Sequence, residues 1–197
     1  MRFATRRTST AGFGWIEILA GSAAKEHSMA KGSVEAIIRA LNEAGVNYLV
    51  VGGLAVVAHG YVRFTADLDL ILDLREDNLR HALAALASLG YRPRAPVPME
   101  QFISPDTRAQ WVREKGLTVF SLFSTEHEAT ELDLFVEAPL DFDKAYAATA
   151  RMEVAPQLAA TFVSLEDLLF LKKLAGRPKD LEDIERLQAL RRRPTNE

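Results

Sequence analysis

The sequence predicts a mixed α+β domain with a helical C-terminal part, and three observations carry that prediction. Residues 47–74, "NYLVVGGLAVVAHGYVRFTADLDLILDL", hold a buried apolar run, a glycine pair, a short helical segment and a strictly alternating run. Amphipathic helical patterns flank this stretch on both sides. From Ser164 onward the apolar residues recur at helical and no longer at strand spacing. Strand and helix signals interleave and then give way to helices, an order that suits one layered α+β domain.

Each element follows from its own pattern. Residues 1–30 are rich in Ser, Thr, Ala and Gly and show no sustained period, so a disordered extension is expected there, ahead of a domain over 31–193. Ser33 has the chemistry of an N-cap for a helix carrying Val34, Ile37, Ile38 and Leu41 and ending near Gly45. "NYLVV" reads as a buried strand, broken by Gly52 and Gly53; "LAVVAHG" reads as a short helix and "ADLDLILDL" as a second strand. "REDNLRHALAALASLG" places Leu79, Leu83, Leu86 and Leu89 on one helix face and stops at Gly90. A proline-rich connection leads to a weakly patterned segment over 101–115, after which "LTVFSLF" and "ELDLFVE" alternate as two strands about the turn "STEHEAT". "DFDKAYAAT" suits a helix and "RMEVAPQLAATFV" a short strand pair. Two helices, "SLEDLLFLKKLAG" and "PKDLEDIERLQALRRR", meet at Gly176, with Ser164 and Asp167 at the spacing of a capping box and Pro178 in a first turn. They form the helical part over about 164–193.

Composition narrows the function classes. The 197 residues, 48% hydrophobic, support one domain with a substantial core, and no apolar run reaches bilayer-spanning length. Cysteine is absent, which removes disulfides, thiolate metal sites and a cysteine nucleophile, and agrees with a reducing cytoplasm. A formal charge of −3 supplies no global field toward nucleic acid or anionic lipid. Locally, residues 172–193 carry eight basic and four acidic side chains, so this end can approach an anion.

The chemistry concentrates in the carboxylates. Strand alternation sends Leu68, Leu70 and Leu72 to one face and Asp67, Asp69, Ile71 and Asp73 to the other, which sets Asp67 and Asp69 about 7 Å apart on one surface. The same parity turns Asp133 outward between Leu132 and Leu134. If the two strands are neighbours, three carboxylates converge, and such a cluster calls for a cation. Oxygen ligands of this kind suit Mg2+ or Mn2+. A solvated acidic strand face is the alternative for an isolated D-x-D. Gly52 and Gly53, directly after a buried strand, offer unhindered backbone N–H groups to phosphate, though a tight turn explains a glycine pair equally well.

The run "GGLAVVAHGYVRFTADLDL", together with "FLKKLAGRPKDLEDIERL", resembles the signatures of the nucleotidyltransferase superfamily with the DNA polymerase beta-like fold, in the branch of AbiEii-type toxins and minimal nucleotidyltransferases. The likeness spans Val34 to Leu190. It implies a small mixed β-sheet flanked by helices, the C-terminal helices forming the other wall of a cleft. It further implies transfer of a nucleoside monophosphate from a nucleoside triphosphate (NTP) to a hydroxyl, with RNA such as tRNA, or a protein, as acceptor and a cognate antitoxin as partner. By this resemblance Asp67 and Asp69 bind divalent metal with Asp133 as the third carboxylate, Gly52 and Gly53 hold the triphosphate, and Lys172 neutralises phosphate charge. Arg63 and Thr65 orient nucleotide or acceptor. Lys179, Asp180 and Asp183 match the second motif, where helix caps and ion pairs account for the two acids equally well. Many members of the superfamily carry Gly-Ser where this chain has Gly52-Gly53, so a serine hydroxyl is missing from the phosphate turn.

The remaining candidates point to packing. His59 suits a packing or capping role at a helix end, His81 and His127 are expected to face solvent, and Glu126 and Glu128 fall in a turn. Trp111, Phe120 and Phe123 suit the core better than a base-stacking platform, and Arg191–Arg193 suit a solvated tail better than a tRNA contact. Two other functions fit the same residues: a non-catalytic nucleotide- or partner-binding module, and an aminoglycoside-type antibiotic nucleotidyltransferase whose acidic residues face a cationic acceptor.

Overall fold

Val34, Ile37, Ile38 and Leu41, one stripe at helical spacing, are all buried by the first helix, α1 (Lys31–Glu43). The computed structural model describes residues 31–128 and 130–192; the extension expected to be disordered over 1–30 lies outside them, as does Arg193. Ser33 is not the N-cap of α1, since the helix already runs through it; its hydroxyl instead meets Nδ1 of His127 at 2.9 Å. His127 correspondingly does not face solvent freely, because its ring also stacks on Tyr91 at 5.8 Å.

After β1 (Tyr48–Val50) the glycine pair opens helix α2 (Gly52–Ala58) as its first two residues. The chain then returns as β2 (Asp67–Leu72), antiparallel to β1, with Val50 opposite Leu70. Helix α3 (Glu76–Ser88) buries Leu79, Leu83 and Leu86 along one stripe. The proline-rich connection contributes a two-residue edge strand, β3 (Arg92–Pro93), that the sequence pattern does not announce. The weakly patterned segment folds as a 3-10 turn (Met99–Ile103) and helix α4 (Pro105–Lys115). Its ends are well marked: the Ser104 side chain accepts from the Thr107 N–H, Pro105 occupies the first turn, and Gly116 closes it at φ 61°.

β4 (Val119–Phe123) and β5 (Glu131–Phe135) follow, then α5 (Phe142–Ala147), capped by Asp141, and the hairpin of β6 (Ala150–Ala155) and β7 (Leu158–Phe162). Helix α6 (Leu165–Ala175) starts at Ser164, whose hydroxyl accepts from the Asp167 N–H as an N-cap should; the Asp167 carboxylate, however, accepts from that hydroxyl and not from the Ser164 N–H, so only half of the expected capping box is made. Helix α7 (Pro178–Arg192) completes the described chain. Among the described residues no helix is long and apolar enough to cross a membrane.

Among the described residues seven strands form one mixed sheet in the order β3-β4-β5-β2-β1-β7-β6. Two pairings in it are parallel, β2 with β5 and β1 with β7, and the other four are antiparallel. Leu68, Leu70, Leu132 and Leu134 lie fully buried on one side of β2 and β5. The strict alternation holds only for the first half of β2: Ile71 and Asp73, assigned to the open face, are 1% and 5% exposed. The topology brings the end of β1 and the starts of β2 and β5 to a single sheet edge, where α2 departs and where α6 begins just after β7.

Candidate active site

Parallel pairing in register puts Asp69 of β2 opposite Asp133 of β5, and Asp67 opposite Glu131. At a strand spacing of about 4.8 Å these side chains share one face, turned away from the leucine core. Burial pushes the Asp69 carboxyl up to about 6, helped by the charges of Asp133 and Asp67 and opposed by Lys172 and the Gly53 N–H. Asp67 is raised too, by burial first and then by Asp133, with Lys179 pulling the other way. Asp133 accepts a 2.6 Å hydrogen bond from Ser121 Oγ on β4, a contact that leaves its second oxygen to the cleft.

These three acids share one face without a cation bonded to any of them, unlike Asp73, Asp141, Asp180 and Asp183. Asp73 bonds to Arg75, Asp141 to Lys144, Asp180 to Lys172 and Arg177, and Asp183 to Arg63 and Lys172. Among the described residues Asp67, Asp69 and Asp133 make no ion pair, nor are three such groups drawn together tightly enough to cage a metal ion. Asp73, at the far end of β2, takes no part: burial alone would raise it, but bonds from the Arg75 side chain and backbone outweigh that and lower it. The three oxygen donors fit a hard divalent cation such as Mg2+ or Mn2+, which would relieve a repulsion that Lys172 and Lys179, acting without a direct ion pair, only partly offset.

Both glycines are required by their surroundings. Gly52 has φ 63°, and a Cβ there would fall 1.8 Å from Asp69 Oδ2. Left-handed backbone costs a non-glycine residue about 1–2 kcal/mol before the overlap is counted. Gly52→Ala is therefore expected to destabilise the protein by at least about 2 kcal/mol, by thermal melting, and to displace Asp69. Unchanged melting would show that the close approach is not maintained in solution.

At Gly53 a Cβ would lie 2.2 Å from Thr65 Oγ1. The threonine hydroxyl fills the space that a serine at position 53 would need. No hydrogen bond within the described chain engages Thr65 Oγ1, which borders the cleft beside the glycine turn. A hydroxyl is thus present at this turn, supplied by β2's approach and not by the glycine pair.

The helical wall carries the cations. Lys172 of α6, 5% exposed, places its ammonium 2.8 Å from both Asp180 and Asp183 of α7. Arg63 clasps Asp183 through Nε and Nη2 at 2.7 and 2.9 Å, while its Nη1 donates to the Phe64 carbonyl. Arg177 bonds to Asp180 at 2.7 Å. Asp180 sits at about 2: burial opposes ionisation, but bonds from Arg177 and Lys172 overcome it. Asp180 and Asp183 therefore act through ion pairs that tie α7 to α6 and to the Arg63 loop, the structural alternative open for them in the sequence.

A cleft of about 730 Å³ collects Gly52, Gly53, Arg63, Thr65, Asp67, Asp69, Asp133 and Lys172, every site residue nominated from the sequence. Its sheet side is acidic and its helix side basic, with Arg177 and Lys179 joining Lys172. Sequence reasoning missed Arg177, Glu137 and the apolar wall of Phe64, Leu168, Leu171 and Phe135. Only Arg177 left a signal, inside the second motif. His59, by contrast, behaves as expected: its backbone caps α2, its ring bonds to the Val163 carbonyl at 2.9 Å, and burial lowers its pKa. Trp111 and Phe120 are buried and stacked on each other, as predicted, whereas Phe123 is half-exposed.

A family model described as "Nucleotidyltransferase of unknown function (DUF6036)" matches residues 33–193. Among solved structures the chain is similar to the lincosamide antibiotic adenylyltransferase LnuA with lincomycin bound, at 15% identity and a TM-score of 0.53, over 81% of this chain and 97% of that one. It is also similar to an antigenic nucleotidyltransferase-like protein from Paracoccidioides brasiliensis, at 16% identity and a TM-score of 0.45, over 81% of this chain and 75% of that one. No curated protein matches the chain. At such identity the likeness to LnuA is one of fold.

Proposed function

The chain belongs to the nucleotidyltransferase family DUF6036, and from that premise we propose that it moves a nucleoside monophosphate from an NTP to a hydroxyl of an RNA or a protein. The reaction uses Mg2+ or Mn2+, in the cytoplasm, and its place is that of the toxin of a toxin–antitoxin pair in the AbiEii-type branch. One observation carries the metal-dependent part: three carboxylates without cation partners lie on neighbouring strands beside a glycine turn in the cleft.

Asp67, Asp69 and Asp133 are the residues that would hold the metal; when bound, it neutralises charge on them and on the transferring phosphates. The glycine turn and Thr65 hydroxyl receive the triphosphate, with Lys179, Arg177 and the shared ammonium of Lys172 across the cleft. The free oxygen of Asp133, its partner oxygen fixed by Ser121, takes the proton of the attacking hydroxyl. A bond forms from that hydroxyl oxygen to the α-phosphorus, the bridge from the α- to the β-phosphate breaks, and pyrophosphate leaves with the electron pair. The apolar side chains of Leu168, Leu171 and Phe64 give the base a wall.

Incubation with each α-labelled NTP, Mg2+ and either total RNA or cell protein tests this reading. Label is expected in one of the two fractions, and none with Asp67→Ala. Binding of NTP without any transfer would leave a nucleotide-binding module and contradict the enzyme mechanism. Label on a small cationic antibiotic alone would contradict the acceptor.

A further inference from the structure

The face that carries the three carboxylates continues past them onto β5, β4 and β3. Val119, Ser121, Phe123, Glu131, Asp133 and Phe135 are all partly exposed there, in contrast to the buried residues between them. At its outer edge Arg92 pairs in register with Phe123, and the guanidinium groups of Arg92 and Arg94 lie 5.9 and 5.7 Å from the centre of the Phe123 ring. Arg94 also bonds to Glu131, the residue paired in register with Asp67, which ties this edge to the strand that carries Asp133. Arg92 has no carboxylate partner among the described residues. The Arg94 pair is half-exposed on both sides, and exposed pairs of this kind are weak enough for an incoming anion to compete.

The glycine turn follows β1, on the other side of β2 from β5, β4 and β3. In-line transfer needs donor and acceptor on opposite sides of the reacting phosphorus. Two guanidinium groups held over an aromatic ring match phosphate by forked hydrogen bonds and a flat base by stacking, and they repel a cationic acceptor.

We propose that Arg92, Arg94 and Phe123 form the acceptor site, and that the acceptor carries a phosphate next to the hydroxyl it presents. A polynucleotide 3′ end and a small phosphorylated sugar share that chemistry. The inference rests on the nucleotidyl-transfer step proposed above; the polynucleotide source agrees with the RNA acceptor given there, and the sugar phosphate would replace it.

The test uses the full chain with its nucleotide site filled by a nonhydrolysable NTP and Mg2+. Two probes are titrated: a fluorescent ten-nucleotide single-stranded RNA with a free 3′-hydroxyl, and glucose 1-phosphate. Arg92→Ala/Arg94→Ala is expected to weaken at least one probe tenfold or more, to reduce the salt slope for RNA by about 1–2, and to leave NTP affinity and melting temperature unchanged. Phe123→Ala is expected to weaken RNA but not the sugar phosphate. Loss confined to RNA assigns the polynucleotide source, and loss confined to the sugar phosphate assigns the small one. If wild-type protein binds NTP but neither probe, or binds both equally well with and without the arginines, the acceptor site is refuted while the transfer reading stands. If it binds no NTP, the transfer reading fails first.

Discussion

Replacing Asp69 by asparagine is expected to abolish nucleotidyl transfer while making the ligand-free protein more stable. The two effects share one cause. Asp69 lies at the centre of the cluster, opposite Asp133 and two residues from Asp67, in contact range of the glycine turn. Asparagine keeps its shape and its bond from the Gly53 N–H but removes a charge that metal would need, so transfer falls by about three orders of magnitude, equivalent to about 4 kcal/mol. In the ligand-free chain the same charge is a burden. A carboxyl raised from 3.8 to about 6 binds its proton more tightly folded than unfolded. Its contribution to stability is fully present below about pH 4 and is lost as pH rises through 6. At pH 7.5 the ionised group costs up to about 3 kcal/mol. Asp69→Asn should therefore melt several degrees above wild type at pH 7.5, at about 2–4 °C per kcal/mol, and the gap should close toward pH 4. A variant that melts below wild type at both pH values would mean that the cluster is not strained.

Asp183→Ala carries the largest expected loss of stability. The Asp183 carboxylate is 1% exposed and is held by Arg63 on one side and Lys172 on the other, themselves 12% and 5% exposed. Removing it leaves two buried cations short of a partner, a change that costs about 3–5 kcal/mol and lowers the melting temperature by roughly 10 °C. The damage reaches the cleft, because the Arg63 loop also positions Thr65 against Gly53. NTP affinity should fall with stability in Asp183→Ala and recover in part in Asp183→Asn, which keeps the hydrogen bonds. Denaturant unfolding with and without NTP separates the two readouts; an alanine variant as stable as wild type would remove the ion-pair lock from the account.

The sheet was legible because its side chains alternate with a period of two. Leu68 and Leu70 between the aspartates, and Leu132 and Leu134 about Asp133, put acids and core on opposite faces whatever else the chain does. Helix α4 was hidden because it turns only Trp111 and Arg108 fully inward, so no apolar stripe shows; the Ser104-Pro105 start and Gly116 end were its only marks. Partners across the fold were not legible. Ser121 reaches Asp133 through an antiparallel register, and Lys172 meets Asp180 and Asp183 only once α6 and α7 pack. The residues of the cleft could be nominated from motifs, whereas the tie between Lys172 and two carboxylates needed the three-dimensional arrangement.

Mn2+ binding followed by electron paramagnetic resonance, with a nonhydrolysable NTP present, tests the central claim most directly. Wild-type protein is expected to take up Mn2+ that Mg2+ displaces, and Asp67→Asn, Asp69→Asn and Asp133→Asn are each expected to weaken that uptake tenfold or more while the protein stays folded. Identical Mn2+ uptake by wild type and all three variants, with NTP bound throughout, would contradict the assignment of these carboxylates as the metal-holding centre.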